Sequence, residues 1–388
     1  MINSNKKEYG LVFAGGGTKG AYQVGVTKAL NELNINVKAV AGASIGAING
    51  ALFVQNNVAI MEELYKNVEM DDIVGVSENS KLNKEKNLLS FENAIKLTGE
   101  YIKNKGISNE PLRNLLNKYL DIEKIYNSDV DYGIITFDTK TGEGVELFKE
   151  DIPKDKLCDY ILASACFPIF KPQSIDDNVY FDGGLSDNMP VNMLVKKGYK
   201  NIILIDIQGI GITRRNIESD IYVKVIRPAE DLGGTFNFNH ENIMKNINLG
   251  YYDTLKAFRK LIGNYFYFEP KVFNKLLENF SLNEIAGLEF AGKTYELERF
   301  KLYSYKEFLK SVMDCYDAEE REYKKIDKKL TAANIVSYIK KGASISLAMD
   351  IITNYPTLYN KAIVKKLIGD YIKAAQAIQS LRNTHDLK

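Results

Sequence analysis

Residues 9–20, Tyr9-Gly10-Leu11-Val12-Phe13-Ala14-Gly15-Gly16-Gly17-Thr18-Lys19-Gly20, read as a buried strand, a glycine turn and the opening of a helix. From Gly20 to Leu33 apolar residues return at helical spacing, at Ala21, Val24, Leu30 and Leu33. Residues 37–41 are a second apolar strand, and Gly42-Ala43-Ser44-Ile45-Gly46 turns into a second helix. Such alternation implies an α/β fold: parallel strands joined by right-handed crossovers, with functional residues at the strands' carboxyl ends. Both glycine runs fall on that edge.

The two runs suggest chemistry. A glycine turn opening a helix leaves backbone N–H groups without intrahelical partners, aimed at one spot where negative charge is favoured. Ser44, between small residues on a strand-to-helix turn, can hold its hydroxyl exposed because neither Gly42 nor Gly46 carries a side chain to block it. A serine hydrolase follows as the first hypothesis, and its serine needs a base. The chain has only two histidines. His385 is in the terminal tail, whereas His240 would complete a Ser44, Asp182, His240 order like that of α/β-hydrolases. That family places its nucleophile much later in the sheet, so the topology disagrees. A carboxylate base needs no histidine, and Asp182 ends the apolar segment Val179-Tyr180-Phe181 before the permissive Gly183-Gly184.

Competing readings are weaker. Gly15, Gly17 and Gly20 satisfy a dinucleotide-binding Gly-x-Gly-x-x-Gly, but the second strand ends without the acidic residue that would hold a ribose. Ala21 and Tyr22 stand where a Walker loop needs Lys and Ser or Thr. Histidines and cysteines are too few at ligand spacings for a metal centre. No cofactor is expected. A net charge of +1, with charged residues at 26%, lacks the basic excess of a dedicated nucleic-acid binder.

Further along, residues 56–129 read as a helical, cap-like insertion, with a charged connector at 81–87 and a partly apolar helix at 95–102. A hairpin or bent strand pair is expected from 132–137 and 145–148 around Thr141-Gly142, and further strands at 179–181, 201–207 and 221–226. After Pro228 the pattern is mostly helical. Gly263-Asn264 suggests a boundary that separates residues 1–262 from a helical region, 263–388. In the tail, Ile363, Val364, Leu367, Ile368, Tyr371, Ile372 and Ala375 share a face flanked by Lys361, Lys365, Lys366 and Lys373. That face could rest on anionic lipid headgroups, although such a stripe normally packs on its own protein or an identical subunit. The three cysteines, Cys158, Cys166 and Cys315, fit reduced thiols. With no signal peptide read at the N-terminus and no long apolar run, the expected setting is cytoplasmic, peripheral to a membrane at most.

Taken together and in this order, the glycine run, Gly-Ala-Ser-Ile-Gly and Asp-Gly-Gly resemble the three signature blocks of patatin-like phospholipases. The resemblance extends over roughly residues 8–260. Residues 163–168 resemble the block that precedes the aspartate in that family, and residues 250–255 a helix near the end of many bacterial members. The resemblance implies a Ser-Asp dyad, with Ser44 as nucleophile, Asp182 as base and amides of Gly15, Gly16 and Gly17 as the oxyanion hole. It gives Gly42, Gly46, Lys19, Gly183 and Gly184 supporting places, Lys19 standing where arginine is frequent. The implied fold is a three-layer α/β/α sandwich with a mostly parallel sheet, and the implied activity is ester hydrolysis of a phospholipid or related acyl lipid. The rival of a different class is a catalytically silent lipid-binding or scaffold protein on the same fold.

Overall fold

The computed structural model describes residues 7–74, 106–214, 220–326, 330–331, 335–339 and 344–383. They divide into two compact units, Met1–Thr254 and Leu255–Lys388. The connector at 81–87, the helix at 95–102 and His385 lie outside the described residues.

The first unit is built on an eight-stranded sheet: β1 (Glu8–Phe13), β2 (Asn36–Ala43), β3 (Asp131–Asp138), β4 (Glu143–Phe148), β5 (Gln173–Ile175), β6 (Asn178–Asp182), β7 (Asn201–Ile205) and β8 (Tyr222–Ile226). β1 lies between β2 and β7, with β3 and β8 outside them, all five parallel. β1, β2 and β7 at the centre are near-continuous apolar segments, as burial on both faces requires, whereas β8 at the edge is only partly buried. β4, β5 and β6 add an antiparallel edge. β5 was not legible beforehand, because three residues are too few to display a period.

Helices cover both faces. α1 (Ala21–Glu32) follows β1, and α2 (Ile45–Val54) follows β2. Leu11, Val40 and Tyr132 stand side by side in register on one face; Val40 and Tyr132 meet Gly50 of α2, and the Tyr132 hydroxyl donates to the Ala47 carbonyl at 2.6 Å. Gly10 and Gly133, one residue along and so on the opposite face, meet Leu194 and Met193 of the helix Val191–Lys196. The unit is therefore a three-layer α/β/α sandwich.

One detail of register positions the site. β4 occupies one edge of β3 from Gly133 to Asp138, so β2 and β6 must share the other edge. They do so end to end: Ala43 stands opposite Ile135, and Asp182 opposite Thr136. Because β6 is antiparallel to β3 and β2 is parallel to it, the two strands run head-on. Their last residues face each other across a gap set by adjacent residues of β3.

The second unit is helical, with a core of Phe266, Phe268, Leu288, Phe308, Tyr316 and Ile378 among others. Its helices Leu282–Thr294 and Tyr305–Lys324 begin with capping boxes, Ser281 with Glu284 and Ser304 with Glu307. Val364, Ile368, Ile372 and Ala375 of the helix Ala362–Asn383 are buried in this core, while Ile363 and Leu367 are exposed. Most of the tail stripe thus covers the unit's own interior. Among the described residues no helix is long and apolar enough to cross a membrane.

Candidate active site

Ser44 sits between β2 and α2 with φ 56° and ψ −128°, a backbone conformation that a residue with a Cβ adopts only under constraint. The constraint is visible. Its N–H donates to Ser164 Oγ at 3.0 Å, and that hydroxyl donates in turn to the Ile135 carbonyl at 2.7 Å. Main chain packs against main chain at the flanking glycines: a Cβ at Gly46 would collide with the Phe13 carbonyl, and one at Gly42 with the Gly46 carbonyl. A serine at a helix N-terminus ordinarily caps it. Ser44 makes no such cap; its hydroxyl donates instead to Asp182 Oδ2 at 2.6 Å.

Asp182 is only 4% exposed. Its N–H donates to the Cys166 carbonyl at 2.9 Å, and its Oδ1 accepts the Gly184 N–H at 2.8 Å, which folds Gly183–Leu185 into a 3-10 turn. Gly183 lies so close to the Ile135 carbonyl that a Cβ would collide with it. Loss of water around the carboxylate pushes the Asp182 pKa up to about 6, while the hydrogen bonds from Ser44 and Gly184 pull the other way. A carboxyl tuned to that range is a usable base near neutral pH.

The Gly15-Gly16-Gly17 turn forms the adjacent wall. Gly15 is not a free donor: its N–H reaches the Asn188 carbonyl at 3.2 Å, while Asn188 Nδ2 donates to the Gly15 carbonyl, also at 3.2 Å. Of the three glycines expected to donate, Gly16 and Gly17 line one cavity with Ser44 and Asp182. Gly17 has φ 59°, and Thr235 leaves no room for a side chain there. Thr18 ties the turn to the segment after Leu232, its hydroxyl donating to Gly234 or Thr235 and accepting the Asn237 N–H at 3.1 Å.

A brace supports this wall from below. Buried Asp206, at the end of β7, is held by Arg227 through Nε at 3.0 Å and a terminal nitrogen at 2.5 Å. Its other oxygen accepts the Gln208 N–H at 2.9 Å, where Gln208 has φ 53°. The turn this creates packs Gly209 against Gly15 and Gly16, and Lys19 Nζ donates to the Gln208 carbonyl at 3.2 Å. Lys19 is thus tied to the brace, and Arg at that place would have the same reach. Asp206→Asn weakens the brace and is expected to lower kcat roughly tenfold with little change in KM, whereas Lys19→Arg stays near wild type; steady-state kinetics on a soluble ester check both. Equal losses in kcat/KM through KM alone would show that the brace does not position the amides.

Two cavities meet at Ser44. One is walled by apolar side chains including Ile48, Leu64, Leu112, Leu116, Phe170 and Phe236. The other contains Asp182, Gly16, Gly17 and Asn188 and is rimmed by Pro168, Leu185 and Ile210. His240 is exposed at the start of the helix His240–Ala257, and among the described residues it makes no hydrogen bond to Ser44 or Asp182. Sequence reading missed Ser164, Asn188, Asp206 and Thr235. Their only sequence signals were proximity to the blocks and, for Asp206, a place at a strand end.

Residues 11–195 match the family model described as patatin-like phospholipase. The first unit belongs to the patatin-like phospholipase family. Curated relatives of this patatin unit include patatin-like phospholipase domain-containing protein ZK370.4 of Caenorhabditis elegans, 28% identical over 203 residues, which are 52% of this chain and 14% of that protein. Another is lysophospholipase NTE1 of Cryptococcus neoformans, 24% identical over 208 residues, 53% of this chain and 12% of that protein. A third is human patatin-like phospholipase domain-containing protein 6, 26% identical over 200 residues, 51% of this chain and 13% of that protein. The match thus spans a small fraction of these longer relatives. Among solved structures, VipD from Legionella pneumophila aligns with 98% of this chain and 89% of its own, at a TM-score of 0.41 and 13% identity.

Proposed function

We propose that the patatin unit is a serine acyl hydrolase that cleaves carboxylic esters of phospholipids or related acyl lipids through an acyl-enzyme. The observation that carries this reading is the 2.6 Å hydrogen bond between Ser44 Oγ and the buried Asp182 carboxylate. Ser44 Oγ attacks the ester carbonyl carbon while its proton passes to Asp182 Oδ2. Negative charge on the former carbonyl oxygen is met by the Gly16 and Gly17 amides, the kind of fixed donors whose loss costs about 100- to 1,000-fold in rate. Collapse breaks the ester C–O bond, and Asp182 returns the proton to the departing alcohol. Water then repeats the sequence against the acyl-Ser44 ester, with Asp182 again as base.

The apolar cavity is the natural berth for an acyl chain, with its carbonyl at Ser44 and the alcohol portion in the second cavity. The names of the relatives support phospholipid and lysophospholipid classes as first substrates. The test is a panel of phospholipids, lysophospholipids and acylglycerols incubated with the full chain, with released fatty acid measured by mass spectrometry. Turnover of at least one carboxylic ester is expected; vesicle binding without turnover would replace the hydrolase with a silent lipid-binding protein. Leu116→Phe, which thickens a buried cavity wall, is expected to shift the chain-length optimum on a p-nitrophenyl ester series toward shorter acyl groups. An unchanged optimum would remove this cavity as the acyl berth.

A further inference from the structure

Ile210, 67% exposed, lines the mouth of the cavity holding Ser44 and Asp182, and Ile212, two residues on in the same 210–214 loop, is 54% exposed. Leu185, 38% exposed, and exposed Pro168 stand on the same rim. Exposure of large apolar side chains so close together is uncommon on a soluble surface and marks a place that meets something apolar.

The loop is held in this position. Ile212 N–H donates to the Gly184 carbonyl at 2.9 Å, and Asn188 N–H donates to the Ile212 carbonyl at 2.6 Å. Arg214 continues the attachment, its N–H reaching Asp187 Oδ1 at 3.4 Å and its Nε the Ser186 carbonyl at 3.1 Å. Gly211 makes the close approach possible, since a Cβ there would meet Asn188 and the Gly184 carbonyl. The loop is therefore fastened along residues 184–188, the segment that follows Asp182, and both isoleucine side chains are exposed.

We propose that the 210–214 loop is a lip that seats the active-site mouth on a phospholipid surface. Ile210, Ile212 and Leu185 enter the acyl region, and exposed Arg214 lies at the level of the phosphate groups. This rests on the acyl hydrolase reading for its choice of occupant: the rim is continuous with the cavity into which a lipid ester would have to pass, so the surface docked is the surface that supplies substrate. An apolar tip backed by a guanidinium suits a bilayer of apolar chains beneath phosphates.

The test uses Ile212→Asp, a change at an exposed side chain that leaves the backbone attachments in place. Binding is measured by co-sedimentation with vesicles of phosphatidylcholine and phosphatidylglycerol, in a Ser44→Ala background so that turnover cannot alter the vesicles. Ile212→Asp is expected to weaken vesicle binding roughly tenfold. In the active chain it should lower hydrolysis of vesicle lipid to a similar degree while leaving a water-soluble short-chain ester unaffected; Ile212→Leu should behave as wild type. Equal vesicle binding by Ile212→Asp and its parent overturns the proposal, as does absence of vesicle binding by the parent or an equal loss on the soluble ester. A chain that hydrolyses no ester fails the hydrolase reading instead, and the binding measurement still judges the lip.

Discussion

Ser44→Ala is expected to abolish labelling by a fluorophosphonate and to lower ester hydrolysis by about 10,000-fold or more, since covalent catalysis ends while the amide wall and cavities remain. Gel fluorescence reads the first effect and fatty-acid release the second. Labelling that survives would remove Ser44 as nucleophile. The backbone adds a second, independent expectation. Alanine inherits the unfavourable φ of 56°, whereas glycine accepts it without strain. Ser44→Gly should therefore be more stable than Ser44→Ala by about 1 kcal/mol in urea unfolding, although both are inactive. A reversed order would mean that the turn stores no strain at Ser44.

Asp182→Asn keeps the shape of the side chain and its acceptor for Gly184, but it cannot take a proton. A rate loss of about 1,000-fold or more is expected on the same ester. In the parent, kcat/KM should rise with pH through about 6 as the carboxyl ionises, and level off above it. A flat profile across that range would separate Asp182 from the proton transfer. The stability consequence has the opposite sign. The unfolded carboxyl ionises near 3.8 and the folded one near 6, so between these values the folded state holds the extra proton and stability falls as pH rises. The burial is thus unfavourable by about 2–3 kcal/mol above pH 6. Asp182→Asn removes that dependence, so its unfolding free energy should gain on the parent's between about pH 4 and pH 7; equal slopes in both proteins would contradict the raised pKa.

Much of the fold was legible because its central strands are apolar runs bounded by glycine. β1 and β2 needed only local pattern, with the crossover rule supplying their common direction, while β3 was legible as one arm of its pair with β4 but not as the parallel neighbour of β2. The antiparallel edge was harder. β5 carries too little sequence to read, and the direction of β6 depends on partners that no local spacing specifies. At the site, Ser44 and Asp182 were legible because glycines punctuate both turns. The engagement of the Gly15 amide was not legible, because the carbonyl that accepts from it belongs to Asn188, distant in sequence. Asp206 shows the same limit: at a strand end it reads as a turn residue, and only the fold reveals that its turn bears against Gly15 and Gly16. The tail stripe illustrates the converse, since periodicity identified an apolar face but could not distinguish core from surface at Ile363 and Leu367.

The head-on meeting of β2 and β6 makes β3 a ruler for the Ser44–Asp182 pair. Spacing between alcohol and carboxylate is set by the neighbouring residues Ile135 and Thr136, not by the length of polypeptide that intervenes between positions 44 and 182. That intervening stretch also contributes Leu64, Leu112 and Leu116 to the apolar cavity. The lining of the apolar cavity and the Ser44–Asp182 spacing are consequently written into separable parts of the chain: segments that line the cavity can lengthen, shorten or be exchanged, while that spacing stays fixed by two adjacent peptide units.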